Sequence, residues 1–119
     1  MTKCLICENT LSIDSLSCKA CHTTYKSNFS FPRLARLSLS EQRLAESLVL
    51  HGGNLKEMAE SLDVSYPTLK KRLKELTLSL EEKKEEDEKR IEEILFDIES
   101  HKISTEEGIK LIREINGEL

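Results

Sequence analysis

The spacing of hydrophobic residues divides the chain into a short front part and a longer helical part. Four apolar residues between positions 55 and 62 recur at i, i+3, i+4 and i+7, which places them on one face of a helix. The same spacing recurs between residues 91 and 98. In the front part, residues 23–29 alternate between polar and apolar, which favours a strand. The pattern therefore predicts a mainly α chain with a small β segment at its front.

Residues 32–78 carry the start and stop signals of three short helices. Ser40 is predicted to cap the first helix, and Gly52 is suited to the left-handed position that ends it. Asn54 opens the second helix and Ser65 caps the third. Two short helices joined by a tight turn over a shared small core are typical of a helix-turn-helix. This segment is therefore predicted to be a three-helix domain of the helix-turn-helix type.

The front part contains two C-x2-C pairs separated by ten residues, formed by Cys4, Cys7, Cys18 and Cys21. Four thiolates complete the tetrahedral coordination that Zn²⁺ prefers and leave no open position for water. The spacing predicts one structural Zn²⁺ in a zinc ribbon over residues 1–31. Iron held by the same ligands, and free or redox-active thiols, are the alternatives. Glu8 and His22 depart from the usual pattern, because glycine usually follows the second cysteine of each pair.

Charge is distributed unevenly along the chain. Residues 1–76 hold 11 Lys and Arg against 8 Asp and Glu, a net charge of +3, whereas residues 77–119 hold 7 against 14, a net charge of −7. The total of −4 therefore hides a mildly basic front joined to an acidic tail. The overall acidity is not evidence against contact with nucleic acid.

The third predicted helix, residues 65–76, has its leucines on one side and Lys71 and Lys74 on the opposite side. In a DNA-reading helix-turn-helix, the first residues of the second helix reach base edges and flanking cations contact phosphates. The candidate base or sugar contacts are Ser65, Tyr66, Thr68 and Lys71, and the candidate phosphate contacts are Lys70, Arg72 and Lys74. The alternative is a solvated basic face at the C-terminal half of a helix, where cations suit the helix dipole. A protein partner would then replace DNA.

Two resemblances point in the same direction. Residues 53–73 resemble the C-terminal helix-turn-helix of Fis-type and enhancer-binding bacterial regulators, with Asp63 where that class usually has Gly. Residues 3–78 more closely resemble a family of small bacterial proteins known as domain of unknown function 2089. The motifs that carry this resemblance are the paired cysteines and residues 31–38, 53–57 and 65–68. The resemblance implies a zinc ribbon followed by a helix-turn-helix and a regulatory role, without known chemistry.

Residues 79–119 are predicted to form a charged helical spacer followed by a helical hairpin. Within the ten consecutive charged residues 81–90, the pairs 83/87, 84/88, 85/89 and 86/90 carry opposite signs at i and i+4, which favours an exposed helix. Ser104 is predicted to cap the last helix. This tail resembles SHOCT-like tails, in which oligomerisation or partner binding is the suspected role. Because two such helices bury too little surface to be stable alone, we expect self-association through them. Docking on the chain's own body and binding of another partner are the alternatives.

The composition also excludes several classes of function. No apolar run approaches the roughly 18 residues of a membrane span, and no apolar stretch precedes Cys4, so we expect a cytoplasmic protein without membrane contact. The three histidines are scattered and the cysteines are assigned to metal, so we expect neither an enzyme nor a small-molecule substrate. The sequence therefore predicts a DNA-binding transcriptional regulator. The alternative is an adaptor that docks on the transcription machinery or on another regulator.

Overall fold

The computed structural model describes residues 2–117. Over these residues the chain forms four α-helices, a short 3₁₀ helix and a two-stranded sheet. The elements are β1 (Ile13–Ser17), β2 (Thr24–Phe29), a 3₁₀ turn (Arg33–Arg36), α1 (Leu39–Leu50), α2 (Leu55–Ser61), α3 (Tyr66–Glu99) and α4 (Thr105–Ile115). Helices account for 59% of the described residues, which confirms a mainly helical fold with a small sheet at its front. Among the described residues, no helix combines the length and the apolar character needed to cross a bilayer.

The described residues form two compact units. One unit is Arg33–Glu86, and the other combines the segment up to Pro32 with the segment that begins at Asp87. The unit boundary at Glu86 lies inside α3, eight residues beyond the boundary that composition predicted.

The front segment is organised by backbone hydrogen bonds and not by a hydrophobic core. Strands β1 and β2 are antiparallel, pairing Ile13 with Phe29 and Ser17 with Thr24, with a bulge near Ile13. A bridge between Lys3 and Thr10 forms a second, smaller hairpin. None of residues 2–36 is buried. A segment of this kind lacks the apolar burial that usually stabilises a small fold.

A serine cap begins α1. The Ser38 hydroxyl accepts a hydrogen bond from the Glu41 backbone N–H at 3.3 Å and donates one to the Glu41 carboxylate at 2.7 Å. The prediction that Ser40 is the cap is wrong. Ser40 lies in the first turn of the helix, and the cap is Ser38, whose hydroxyl bonds both the backbone N–H and the carboxylate of Glu41. At the other end Gly52, with φ +60°, terminates α1 as predicted.

The core of the unit Arg33–Glu86 is centred on Met58 and Leu69, whose side chains are fully buried, together with Ala59. Partly buried apolar side chains from all three helices and from the turn between α2 and α3 pack around them, namely Leu44, Leu48, Leu55, Val64 and Leu73. These positions follow the i, i+3, i+4 spacing of the sequence, so each helix contributes one face to a common core.

Helix α3 continues from the predicted third helix through the charged segment without a break. It runs for 34 residues, about 51 Å, because it contains no glycine and its one proline, Pro67, lies in the first turn, where proline is tolerated. Its middle still packs on the same unit, since Leu76 is buried and Glu86 Oε2 lies 3.9 Å from Arg36 Nη1. The start of the predicted spacer is therefore part of the helix-turn-helix unit.

In the other unit, α4 packs closely against the C-terminal end of α3 at a glycine. Gly108 is buried, and a Cβ placed on it would lie 2.6 Å from Ile98 Cγ1. His101, with φ +59°, ends the turn after α3, and the Ser104 hydroxyl accepts a hydrogen bond from the Glu107 N–H at 3.1 Å. The predicted Ser104 cap is thereby confirmed.

Candidate functional site

The turn between α2 and α3 is held by a hydrogen bond from the Val64 N–H to the Ala59 carbonyl at 3.1 Å. Asp63 sits at the left-handed position of this turn with φ +52°. Aspartate is among the few non-glycine residues that adopt this conformation readily. The turn characteristic of a helix-turn-helix therefore forms with Asp63 in place of glycine.

Ser65 caps α3, as the sequence predicted. Its hydroxyl accepts a hydrogen bond from the Thr68 N–H at 3.3 Å and lies 2.7 Å from the Thr68 hydroxyl. Among the seven predicted DNA contacts, these two therefore have hydroxyls that are already engaged with each other. Any base contact by Ser65 or Thr68 would have to share this bond.

The cationic candidates lie on the exposed side of the first turns of α3. All seven predicted residues are exposed, namely Ser65, Tyr66, Thr68, Lys70, Lys71, Arg72 and Lys74. The full burial of Leu69 fixes the rotation of the helix, and Lys71 and Lys74 lie on the side away from the core. Lys70 Nζ lies 5.3 Å from the centre of the Tyr66 ring, a cation–π contact that holds the ammonium along the helix.

The sequence reasoning missed an acidic surface on α2 and on the turn that follows it. Glu57, Glu60 and Asp63 are all exposed, and Lys56 is the one basic residue between Asn54 and Val64. A shallow groove lies between this surface and the start of α3, lined by Lys56, Ala59, Glu60, Asp63, Val64, Ser65 and Tyr66. Phosphates would be attracted to the Lys71 and Lys74 side and repelled on the α2 side. The spacing i, i+3, i+6 of these acids was the available signal.

The two cysteine turns have the same backbone geometry. In the first, the Cys4 N–H donates to the Asn9 carbonyl at 2.8 Å and the Glu8 N–H donates to the Cys4 carbonyl at 3.0 Å. The second repeats both bonds from Cys18 and His22, at 2.8 and 2.9 Å. Glu8 and His22 have φ of +60° and +61°, the left-handed conformation that glycine would adopt freely. Both turns therefore form without glycine, and the left-handed backbone costs about 1–2 kcal/mol of stability in each turn.

The surroundings of Cys4 and Cys21 lower the pKa of both thiols and so favour the thiolate, which is the form that binds metal. Backbone N–H groups of Cys7 and Ile6 lower the pKa of Cys4, whose Sγ lies 3.4 Å from the Ile6 nitrogen. The Thr23 hydroxyl, 3.1 Å from the Cys21 sulfur, is the main cause of the lowered pKa of Cys21. Within residues 2–117, no three His, Cys, Asp or Glu side chains are grouped as a metal site would require. The joint four-cysteine site remains a prediction.

Comparison with known proteins identifies one family over part of the chain. Residues 37–83 match the model of a family described as "Domain of unknown function (DUF2089)-HTH". The match covers α1, α2 and the first half of α3, and supports the predicted resemblance over those residues. It does not reach the cysteine turns or α4. No curated protein and no solved structure matches the chain.

Proposed function

We propose that this chain is a cytoplasmic DNA-binding regulator of transcription. The observation that carries the proposal is the exposed Lys71 and Lys74 pair at the start of α3, on the side opposite the fully buried Leu69. This is the position from which the second helix of a helix-turn-helix contacts DNA. The family match over residues 37–83, whose description includes this element, supports the same reading. The proposal involves no catalytic step.

The number of cations sets the expected strength of binding. Each phosphate contact contributes about 0.9 to the slope of log K against log salt concentration. The four basic candidates in the first turns of α3, namely Lys70, Lys71, Arg72 and Lys74, therefore give a slope of at most about −3.6. Because the exposed acids of α2 oppose phosphate, we expect weak binding by one chain that is strongly reduced by salt.

The experiment compares two pairs of lysine substitutions by fluorescence anisotropy with a labelled duplex. We expect Lys71→Ala with Lys74→Ala to weaken binding and to make the salt slope shallower by about 1.8. The matched control is Lys84→Ala with Lys89→Ala, which removes the same charge from exposed positions further along α3. If both double variants weaken binding equally, the effect is one of overall charge and the assignment of the recognition helix is wrong.

We propose that Cys4, Cys7, Cys18 and Cys21 together hold one structural Zn²⁺. The support is the repeated turn geometry, the lowered pKa of Cys4 and Cys21 and the lack of any buried side chain in residues 2–36. When bound, the metal supplies a crosslink between the two hairpins. Four thiolates leave no position for a reacting ligand, so the site would stabilise the fold of the front segment.

We propose that the C-terminal helices contribute to self-association. Three large apolar side chains near the end of α3 and in α4 remain exposed to solvent, namely Leu95 (49%), Phe96 (63%) and Ile109 (45%). An association of these helices would bury them. Sedimentation of Leu95→Ser with Phe96→Ser tests this surface, and the expected result is a smaller species than the wild type forms. If the wild type and the double variant sediment equally, the exposed apolar residues of the tail do not contribute to self-association.

A second candidate function is that of a protein-interaction adaptor. The acidic surface formed by Glu57, Glu60 and Asp63 favours it, because a DNA-contacting α2 would face phosphates. If no duplex binds saturably even at low salt, the adaptor reading is the better one. If binding to a duplex is saturable and depends on Lys71 and Lys74, protein interaction is excluded as the main role of α3.

A further inference from the structure

The hairpin of β1 and β2 has one polar side on which all the paired residues are exposed. Directly paired residues of antiparallel strands lie on the same side of a sheet, and successive residues of a strand alternate between its two sides. The register therefore places Leu16 and Tyr25 on one side of the hairpin. The other side, which we call the hairpin face, consists of the exposed residues Ser15, Ser17, Thr24 and Lys26.

The polar groups of the hairpin face are not used inside the chain. Within residues 2–117, none of the four side chains takes part in a hydrogen bond or an ion pair. Helix α3 differs in this respect, because the hydroxyls of Ser65 and Thr68 lie 2.7 Å apart and engage each other. The hairpin face therefore offers a ligand three hydroxyls and one ammonium group, and it contains no carboxylate.

The basic excess of the front part lies in the same segment as the hairpin. Residues 1–36 hold 5 Lys and Arg against 2 Asp and Glu, whereas residues 37–76 hold 6 of each. The net charge of +3 thus belongs to the cysteine segment, and the helix-turn-helix segment is neutral as a whole. A Zn²⁺ held by four thiolates would subtract two charges and still leave the cysteine segment positive. This balance of charge favours a polyanionic ligand for the hairpin.

We propose that the hairpin face is a second contact surface for duplex DNA and that the hairpin lies in the major groove. The major groove is about 12 Å wide and admits a two-stranded β ribbon, whose strands lie about 4.8 Å apart. Serine and threonine hydroxyls bond to base edges and to phosphates, and Lys26 supplies a cation for phosphate. Lys19, exposed in the turn between the two strands, supplies another.

The composition of the hairpin face favours nucleic acid over a protein partner. The centre of a protein–protein interface is usually apolar, whereas protein–DNA interfaces are more polar and more positively charged. The face has polar residues throughout, and the apolar pair Leu16 and Tyr25 lies on the opposite side. The inference extends the proposed contact with DNA to a surface outside the helix-turn-helix, and it rests on that proposal.

The salt dependence of binding tests the two lysines. Fluorescence anisotropy would follow the full chain and a labelled duplex of mixed sequence over a range of salt. We expect Lys19→Ala with Lys26→Ala to make the slope of log K against log salt shallower by about 1.8, because each phosphate contact contributes about 0.9. The matched control, Lys84→Ala with Lys89→Ala, removes the same charge from exposed positions of α3 and should change the slope little.

An added cation tests the hairpin face without removing any contact. Ser17→Lys places an ammonium group on the hairpin face, and we expect it to make the slope steeper by about 0.9. Leu16→Lys places the same charge on the opposite side of the neighbouring position and should leave the slope nearly unchanged. A hairpin that failed to fold would not gain a contact, so a steeper slope in Ser17→Lys alone supports the assignment of the face. Equal steepening in both variants overturns it.

The lysine variants of the hairpin and of α3 separate this proposal from the proposed function. If Lys71→Ala with Lys74→Ala makes the slope shallower and Lys19→Ala with Lys26→Ala does not, the hairpin contact is overturned and the recognition helix stands. If only the hairpin variant makes the slope shallower, the hairpin contact is supported and the recognition helix is wrong. A chain that binds no duplex saturably, even at low salt, overturns both.

Discussion

Replacing Gly108 with alanine tests how α4 packs on the end of α3. From helix propensity alone, alanine in the middle of α4 would stabilise the helix by about 1 kcal/mol. The new Cβ, however, would lie 2.6 Å from Ile98 Cγ1, well inside the roughly 3.5–4.0 Å of a normal carbon contact. Overpacking of this kind costs about 1–3 kcal/mol. The packing penalty should therefore outweigh the propensity, with a net loss of about 1 kcal/mol.

Hydrogen exchange of the α4 amides measures this change, because local opening exposes the terminal helix without unfolding the whole chain. A loss of 1 kcal/mol corresponds to about five-fold faster exchange over Thr105–Ile115. Removing the overlapping atoms should reverse the sign, so Ile98→Ala with Gly108→Ala is expected to exchange more slowly than Ile98→Ala alone. Lys110→Ala, at an exposed position of the same helix, is the control and should change little.

Slower exchange in Gly108→Ala than in the wild type would refute the reasoning. That result would mean that Ile98 gives way freely, and that the glycine is not required for the approach of the two helices.

Three further predictions concern the metal, a carboxylate and a cap. Metal analysis should find about one zinc per chain, and chelation should speed amide exchange in residues 2–31 while most of the helical signal remains; iron, or no metal, would contradict this. Ser38 is the main cause of the lowered pKa of Glu41, with Ser79 and Lys83 adding to it. The resulting stability is present above the ordinary pKa of about 4.5 and is lost as pH falls below it, so Glu41→Gln should flatten the acid side of a thermal-melt pH profile. Ser65→Ala should destabilise the helix-turn-helix unit by about 1 kcal/mol in urea, and an unchanged midpoint would mean that the cap contributes nothing.

Much of the helical structure could be predicted from local signals. The caps at Asn54, Ser65 and Ser104 and the stop at Gly52 depend on residues within one helical turn, and all four occur where expected. The start of α1 was harder, because two serines precede Glu41 and only the reciprocal hydrogen bond to Ser38 decides between them. Local sequence therefore predicts a helix cap where only one residue is suited to the position, and does not where two neighbouring residues are.

The extent of α3 was left open by the sequence for a different reason. The charged segment could continue the third helix or begin a new one near Leu78, and no glycine or proline interrupts the helix there. The helix continues to Glu99, and contacts such as Arg36 with Glu86 join residues fifty positions apart. Periodicity along a helix carries no information about such contacts, nor about the proximity of Gly108 and Ile98.

The candidate site was only partly accessible to sequence reasoning. The exposed cations of α3 follow directly from its helical register, once Leu69 is taken as buried. The bond between Ser65 and Thr68, which engages two of the predicted contacts, requires the rotamers of the folded cap. The strained backbone at Glu8 and His22 likewise shows that the cysteine turns form without glycine, which the residue types alone argued against.

The most direct test of the proposed function is selection of duplexes from a random pool by the full, zinc-loaded chain, followed by titration of the winning duplex over a range of salt. We expect a common enriched motif and saturable binding, with log K falling linearly as log salt rises and with a shallower slope in the Lys71→Ala, Lys74→Ala variant. No enrichment over the unselected pool, together with no saturable binding at low salt, would contradict it.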